Sequence, residues 1–374
     1  MKMATQRERY AEKVAQAFIQ KIEDGTAPWR QSWKPGEIPL PKNIVSNNPY
    51  RGFNTLWLTT VALNKGYRDS RWMTYKQAQQ VGGQVRKGEH GTAIIFFTDT
   101  NKAAKRDEAG NIAKDANGHT ITEETRTHYP VFKTYRVFNA EQVDGIEPHL
   151  VETQWEKFEW EVSQRADGLL ENSSARIISV EGGASAFYSP ATDSITLPGH
   201  DQFPTMIDYY STAFHELSHW TGHPSRLDRK VEGGFGTVPY AMEELRAEIG
   251  QFMVCQQLGL GYEPYNLEQA ASYVESWVKR LTDKPQEILK AAADSQKITT
   301  YLMQYDPQQQ PEHNLKTVVN VPREDARVEK VKDAFFSEMR AKYIGSMSGK
   351  EIRQGTGKQY APNKKHHHKT KHNR

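Results

Sequence analysis

Residues 209–220 read Tyr209-Tyr210-Ser211-Thr212-Ala213-Phe214-His215-Glu216-Leu217-Ser218-His219-Trp220. The run has the spacing of a helix. His215 and His219 stand four residues apart, so on a helix both imidazoles leave the same face and can hold one cation through neutral ring nitrogens. Glu216 falls on the adjoining flank, within reach of a water near that cation, where a carboxylate serves as a general base. The expected ion is Zn2+. The expected chemistry is attack of an activated water on a polarised carbonyl, with peptide hydrolysis as its default form. Phosphodiester hydrolysis is the weaker reading, because two-metal nucleases use a different ligand set.

Working outward, the segment Tyr240-Ala241-Met242-Glu243-Glu244-Leu245-Arg246-Ala247-Glu248 forms a second acidic helix downstream. In the glutamate-ligand zincins, which the first motif resembles, the third ligand comes from such a helix. Glu244 and Glu248 share a face. Glu244 is favoured as the ligand, with Glu248 as the alternative or as a support that orients a ligand histidine. Glu243 is rotated by about 100° from Glu244 and is expected to face water. His223 competes for the third position, but the longer histidine-ligand pattern puts its third histidine where Ser225 stands. Tyr209, Tyr210, Tyr240 and Arg226 are candidates to meet a developing oxyanion.

The 374 residues suit two domains with linkers, and 37% hydrophobic residues provide enough core material. No apolar run approaches the roughly 20 residues of a membrane helix, and the charged start lacks the apolar block of a signal peptide, so no membrane contact and a cytoplasmic location are expected. The single cysteine, Cys255, excludes an intramolecular disulfide and a cysteine-based zinc finger. An amphipathic helix is expected over 6–24. Short helices over 53–65 and 75–81 follow, then buried or half-buried strands at 92–97 and 129–138 separated by a long, polar, exposed hairpin or loop, 99–127. Beyond 150, strand-like pieces at 176–180, 186–188 and 194–197 precede four helical stretches, 205–221, 239–258, 267–282 and 285–304, and Gly259 sits where the second should stop.

Residues 27–98 hold ten basic side chains against three acidic ones, interleaved with aromatics. Cations that track phosphates beside aromatic faces that stack on unpaired bases point to single-stranded nucleic acid rather than duplex grooves. Trp29, Arg30, Trp33, Lys34, Tyr50, Arg51, Trp72, Lys76, Arg86 and Lys87 are the expected contacts. Trp57, between Leu56 and Leu58, reads as core. Residues 350–374 carry eight basic side chains and one acid, with His366-His367-His368. Such a segment buries too little apolar surface to fold alone. A phosphate-binding role and a role as plain solvated tail are both open to it.

Long ordered blocks carry a more specific resemblance. GTAPWRQSW, PYRGFNTLWL and WMTYKQAQQVGGQVRKGEHGTAIIFF, followed by AFYSPATDSITLP, HELSHWTGHPSRLDR and FGTVPYAMEELRAEIG, are similar to the ArdC-type antirestriction proteins, related to the N-terminal part of plasmid TraC primases. The resemblance runs over roughly 5–305. It implies an α+β chain in which an N-terminal α+β single-stranded-DNA-binding domain (1–147, with the polar insertion 99–127) precedes a mainly helical zincin-like metallopeptidase domain with a small sheet (150–305). A linker, a charged helix and a basic tail follow in 306–374. It also implies His215 and His219 as ligands, Glu216 as base, Glu244 as third ligand with Glu248 the alternative, and single-stranded DNA and a protein or peptide as partners. The function so implied is protection of a mobile element's DNA from restriction. The rival is a non-catalytic DNA-protecting protein whose metal serves structure alone.

Overall fold

The first helix, α1 (Gln6–Glu23), begins at a reciprocal cap: the Glu8 backbone N–H donates to Thr5 Oγ1 at 3.3 Å and the Thr5 N–H donates to the Glu8 carboxylate at 2.7 Å. Its three- and four-residue spacing buries Ala11, Val14, Ala15, Phe18 and Ile22. In this computed structural model the described residues are 5–34, 37–106, 110–115, 118–149, 155–229, 236–264 and 267–308. The expected charged helix at 323–343 and the basic tail lie outside them.

A four-stranded sheet follows, in the order β1 (Lys42–Asn43), β2 (Arg71–Met73), β5 (Thr122–Asn139), β4 (Thr92–Ala104). Helix α2 (Phe53–Lys65) covers one face through Leu58, which packs with Trp72, Ile94 and Val137. Helix α3 (Tyr75–Gln80) covers the other beside a small ribbon of β3 (Gln84–Val85) and β6 (Val143–Asp144). Of the two forms expected for the polar 99–127 stretch, the hairpin is the one taken: β4 and β5 stay paired from Thr92↔Val137 out to Ala104↔Thr122, with one register shift between Thr98 and Thr100. Cross-strand hydrogen bonding sustains these strands without apolar alternation.

The second half opens with α4 (Trp155–Asn172) and a three-stranded sheet ordered β7 (Arg176–Val180), β9 (Ser194–Pro198), β8 (Phe187–Ser189). Strand β9 pairs parallel to β7 and antiparallel to β8, which leaves β8 at the edge. Four helices complete the fold: α5 (Met206–Trp220), α6 (Val238–Leu258), α7 (Leu267–Asp283) and α8 (Glu287–Met303). Helix α6 starts at a Thr237 cap with Pro239 in its first turn and stops at Gly259, whose left-handed φ of 74° suits the expected terminator. It crosses α5 and α8 closely at Gly250, where a side-chain Cβ would lie 3.2 Å from Ser218 Oγ and 3.1 Å from Ile298 Cγ2.

One buried cluster unites both halves. The segment between α1 and β1 is threaded into it. Trp29 stacks on Phe18 with ring centres 5.5 Å apart, and its carbonyl accepts from the Tyr262 hydroxyl at 2.7 Å. Trp33 stacks on Tyr262 at 4.4 Å, meets Phe252 edge-on at 5.0 Å, and exchanges two backbone hydrogen bonds with Tyr262. Removing a buried indole leaves a cavity the surroundings fill only in part. Trp33→Ala should therefore destabilise the protein by about 3–5 kcal/mol, read as a lowered urea midpoint at unchanged slope, and Trp33→Phe should lose much less.

Candidate metal centre on helices α5 and α6

Helix α5 lies over β8 and β9 with its histidine face turned toward α6. His215 and Glu216 are buried, at 2% and 3% exposure, so neither is an ordinary solvated side chain. The two Nε2 atoms stand 3.2 Å apart. The Glu244 carboxylate reaches across from α6 to within 3.5 Å of each. Ligand atoms held at about 2.1 Å around a tetrahedral cation are separated by about 3.4 Å; here the two Nε2 atoms are 3.2 Å apart, and each has a different Glu244 oxygen at 3.5 Å, Oε2 beside His215 and Oε1 beside His219. The donor set of two neutral imidazoles and one carboxylate also suits a borderline divalent ion. The residues present fit a divalent metal.

Electrostatics reinforces the geometry. Burial pushes the Glu244 carboxyl up, but the neighbouring His219 and His215 outweigh it and hold the group well below the usual carboxylate range. Glu216 is raised, by burial first, against the opposing pull of the two histidines and a backbone hydrogen bond from Tyr188 on β8. His219 is raised despite its burial, by Glu244 and then Glu243.

Glu243 departs from expectation. It is 5% exposed rather than facing water. The rotation that takes it off the Glu244 face turns it toward the C-terminal end of α5, where its Oε1 lies 3.7 Å from His219 Nδ1. Arg229 holds it there: Nη2 donates to Glu243 Oε1 at 2.7 Å and to the Ser218 carbonyl at 2.7 Å, while Nη1 donates to Thr221 Oγ1 at 2.6 Å. The support on the second nitrogen of His219 therefore comes from Glu243. Glu248, one turn beyond Glu244, is buried with Oε2 lacking a hydrogen bond, and burial raises its carboxyl well above its ordinary range while Arg30 opposes the rise. His223 is outside the trio and closes its own turn, with Nδ1 2.8 Å from Ser225 Oγ.

Of the four oxyanion candidates, Tyr240 is the one tied to the cluster, through a hydrogen bond to Glu244; burial and then the Glu244 charge push its hydroxyl up. Tyr210 is committed to Asp167 at 2.8 Å, Arg226 to Asp193 and the Trp220 ring, and Tyr209 to His200 and Phe203.

The residues expected at a nucleic-acid surface separate into two groups. Trp29, Trp33 and Trp72 are core, at 0%, 5% and 0% exposure, and offer no ring face to a base because the core has already taken both. Arg30 turns inward, with Nε and Nη1 buried. Lys34, Arg51, Lys76, Arg86 and Lys87 are exposed; Arg86 is engaged by Glu89 at 3.2 Å and Asp144 at 3.4 Å. Tyr50 and Arg51 rim a cleft of about 110 Å³ against Gln257, Gln296 and Thr300.

Comparison with known proteins agrees with this layout. Residues 8–138 match the N-terminal domain of anti-restriction factor ArdC, and residues 164–294 match a zincin-like metallopeptidase family. The crystal structure of the antirestriction protein ArdC from plasmid R388, in its metal-free form, is 34% identical and superposes with a TM-score of 0.60 over 80% of this chain and 98% of its own. The chain belongs to the ArdC antirestriction family. The Mn(II)-bound structure of R388 ArdC aligns equally well, at 33% identity and a TM-score of 0.59 over 79% of this chain and 97% of its own. DNA primase TraC of Escherichia coli is 43% identical over 302 residues, which is 80% of this chain. The chain spans 20% of that primase's length and 30% of a second TraC relative's.

Breaking a buried ion pair by deleting one partner strands the other charge, at a cost of about 3–5 kcal/mol. Glu243→Ala should accordingly lower stability by about 3 kcal/mol in chemical denaturation, and Glu243→Gln, which keeps an acceptor for Arg229, should cost less.

Proposed function

We propose that this chain couples sequence-tolerant binding of single-stranded DNA to zinc-dependent peptide hydrolysis, in the service of antirestriction. The observation that carries the hydrolytic reading is the convergence of His215 Nε2, His219 Nε2 and a Glu244 oxygen within 4.8 Å of one another, with Glu216 between the two histidines in sequence and buried beside them. The Mn(II)-bound form of the R388 relative supports a divalent ion at such a site. When bound, Zn2+ supplies Lewis acidity toward a carbonyl and lowers the pKa of water.

The chain's own groups do the rest. The Glu243 carboxylate, 3.7 Å from His219 Nδ1, favours a proton on that nitrogen, which leaves Nε2 facing the site. Glu216 is shielded from bulk water, and that burial raises its carboxyl, the direction that makes a carboxylate a stronger base. Tyr240, hydrogen-bonded to Glu244, places a hydroxyl donor at the edge of the cluster. Strand β8, at the edge of its sheet and next to Glu216, suits an extended peptide.

Exposed Lys34, Arg51, Lys76 and Lys87 support the DNA reading. The matched segments 8–138 and 164–294 support a division into a DNA-binding domain over 1–147 and a peptidase domain over 150–305.

The test pairs metal analysis with turnover. His215→Ala and His219→Ala should lose tightly held zinc by elemental analysis. Glu216→Gln should keep it while hydrolysis of an unfolded protein substrate drops by about 100-fold or more. Wild-type turnover in Glu216→Gln would remove the base from the proposal. A wild-type protein that takes up no zinc would remove the hydrolytic reading altogether.

A further inference from the structure

The three tryptophans that the sequence offers to DNA are enclosed, yet the structure leaves other aromatics uncovered. Phe96 on β4 is 53% exposed and Tyr135 on β5 is 45% exposed. They touch: their ring centres are 6.2 Å apart and the planes meet at 74°. Single exposed apolar side chains are ordinary, but a contacting aromatic pair on an open sheet face is not.

The register shows how the pair is built. Ile94 faces Tyr135 and Phe96 faces Lys133, so Ile94, Tyr135, Phe96 and Lys133 lie on one face, with the two rings as diagonal neighbours. At the inner end of that face α2 covers Ile94 and Val137. Beyond them come Tyr135, opposite Ile94, and then Phe96 with Lys133 directly across from it. The opposite face of the ribbon carries Arg136 and Phe97, with the Arg7 guanidinium 5.7 Å from the Phe97 ring centre. Across residues 92–98 and 131–137 there are two cations and no carboxylate, in a chain whose acids and bases otherwise nearly balance at 46 and 49.

The edge of β4 is already engaged. Asn54 donates to the Ile95 carbonyl at 2.7 Å and accepts from its N–H at 2.9 Å, and the Tyr10 hydroxyl donates to the Ala93 carbonyl at 3.0 Å. A peptide cannot add there as a further strand, so a partner must approach the face. Open rings next to an unopposed cation suit a flat π-system joined to an anion.

We infer that Phe96 and Tyr135 form the stacking platform for an unpaired base of single-stranded nucleic acid, with Lys133 taking the adjacent phosphate. The assignment rests on the single-stranded-DNA reading above and gives it a location. A base inside a duplex has no free face, so the platform discriminates against paired DNA.

The test uses the full chain and a fluorescent oligo(dT), with anisotropy measured over a range of salt. The double variant Phe96→Ala/Tyr135→Ala should bind about tenfold or more weakly, with an unchanged melting temperature because both rings are exposed. Lys133→Ala should flatten the salt dependence by about one phosphate contact. Tyr75→Ala, which removes another exposed aromatic away from the ribbon, should bind as wild type does. Ultraviolet cross-linking from 4-thiothymidine should land on the peptides holding Phe96 or Tyr135. If the wild type binds no oligo(dT), the DNA reading itself fails. If the wild type binds and the double variant binds equally, or Tyr75→Ala weakens as much, the platform is overturned. It is also overturned if the double variant loses only self-association in sedimentation.

Discussion

Arg229 carries the constraint on which the metal cluster depends. Two helices that merely pack together leave their polar side chains free to choose rotamers, and a ligand set needs them fixed. By donating at once to the Ser218 carbonyl on α5, to the hydroxyl of Thr221, which caps its end, and to the Glu243 carboxylate on α6, one guanidinium locks the relative position of the helices where His219 and Glu244 meet. Its planar fork makes this possible; a lysine in its place could satisfy one of those acceptors with good geometry, not all.

Around that lock the fold collects an unfavourable concentration of charge. Glu216, Glu243, Glu244 and Glu248 are all less than 9% exposed, and they share one region with two histidines and Arg229. Desolvating carboxylates costs several kcal/mol each unless partners compensate. Arg229 compensates Glu243, and the histidines compensate Glu244. Glu216 and Glu248 remain raised. A cation between the helices would relieve the carboxylate repulsion that adds to burial in keeping Glu216 and Glu248 raised. The internal cost of the arrangement would thus fall on binding an ion.

Much of this was legible in the sequence because it is local. The four-residue spacing that sets His215 beside His219 and the glycine that ends α6 are properties of one helix at a time, and so is the α1 stripe. What the sequence concealed is tertiary. Nothing in Glu243's own neighbourhood announces that α5 lies across its path, so helical phase alone sent it to solvent. The one hint is Arg229, ten residues past His219. The tryptophans failed similarly: composition cannot tell a ring that stacks on a base from one that stacks on Tyr262. Phe96 was hidden for the opposite reason. It sits in the run Thr92–Phe97, whose sequence suits a buried or a half-buried strand alike, and only the end of α2's coverage decides which of its side chains stay bare.

The threading of Trp29 and Trp33 beneath Tyr262 has a bearing on how such a chain can be taken apart. Helix α6, which carries Glu244, presents Phe252 to Trp33, and the turn after it borrows a backbone partner from residue 33. A piece cut at the middle of the chain would carry the whole candidate ligand set, yet would expose a hydrophobic socket and orphan two backbone groups. Moving the half that carries the candidate ligand set into a new context would therefore require this short segment to travel with it, or its plug to be rebuilt.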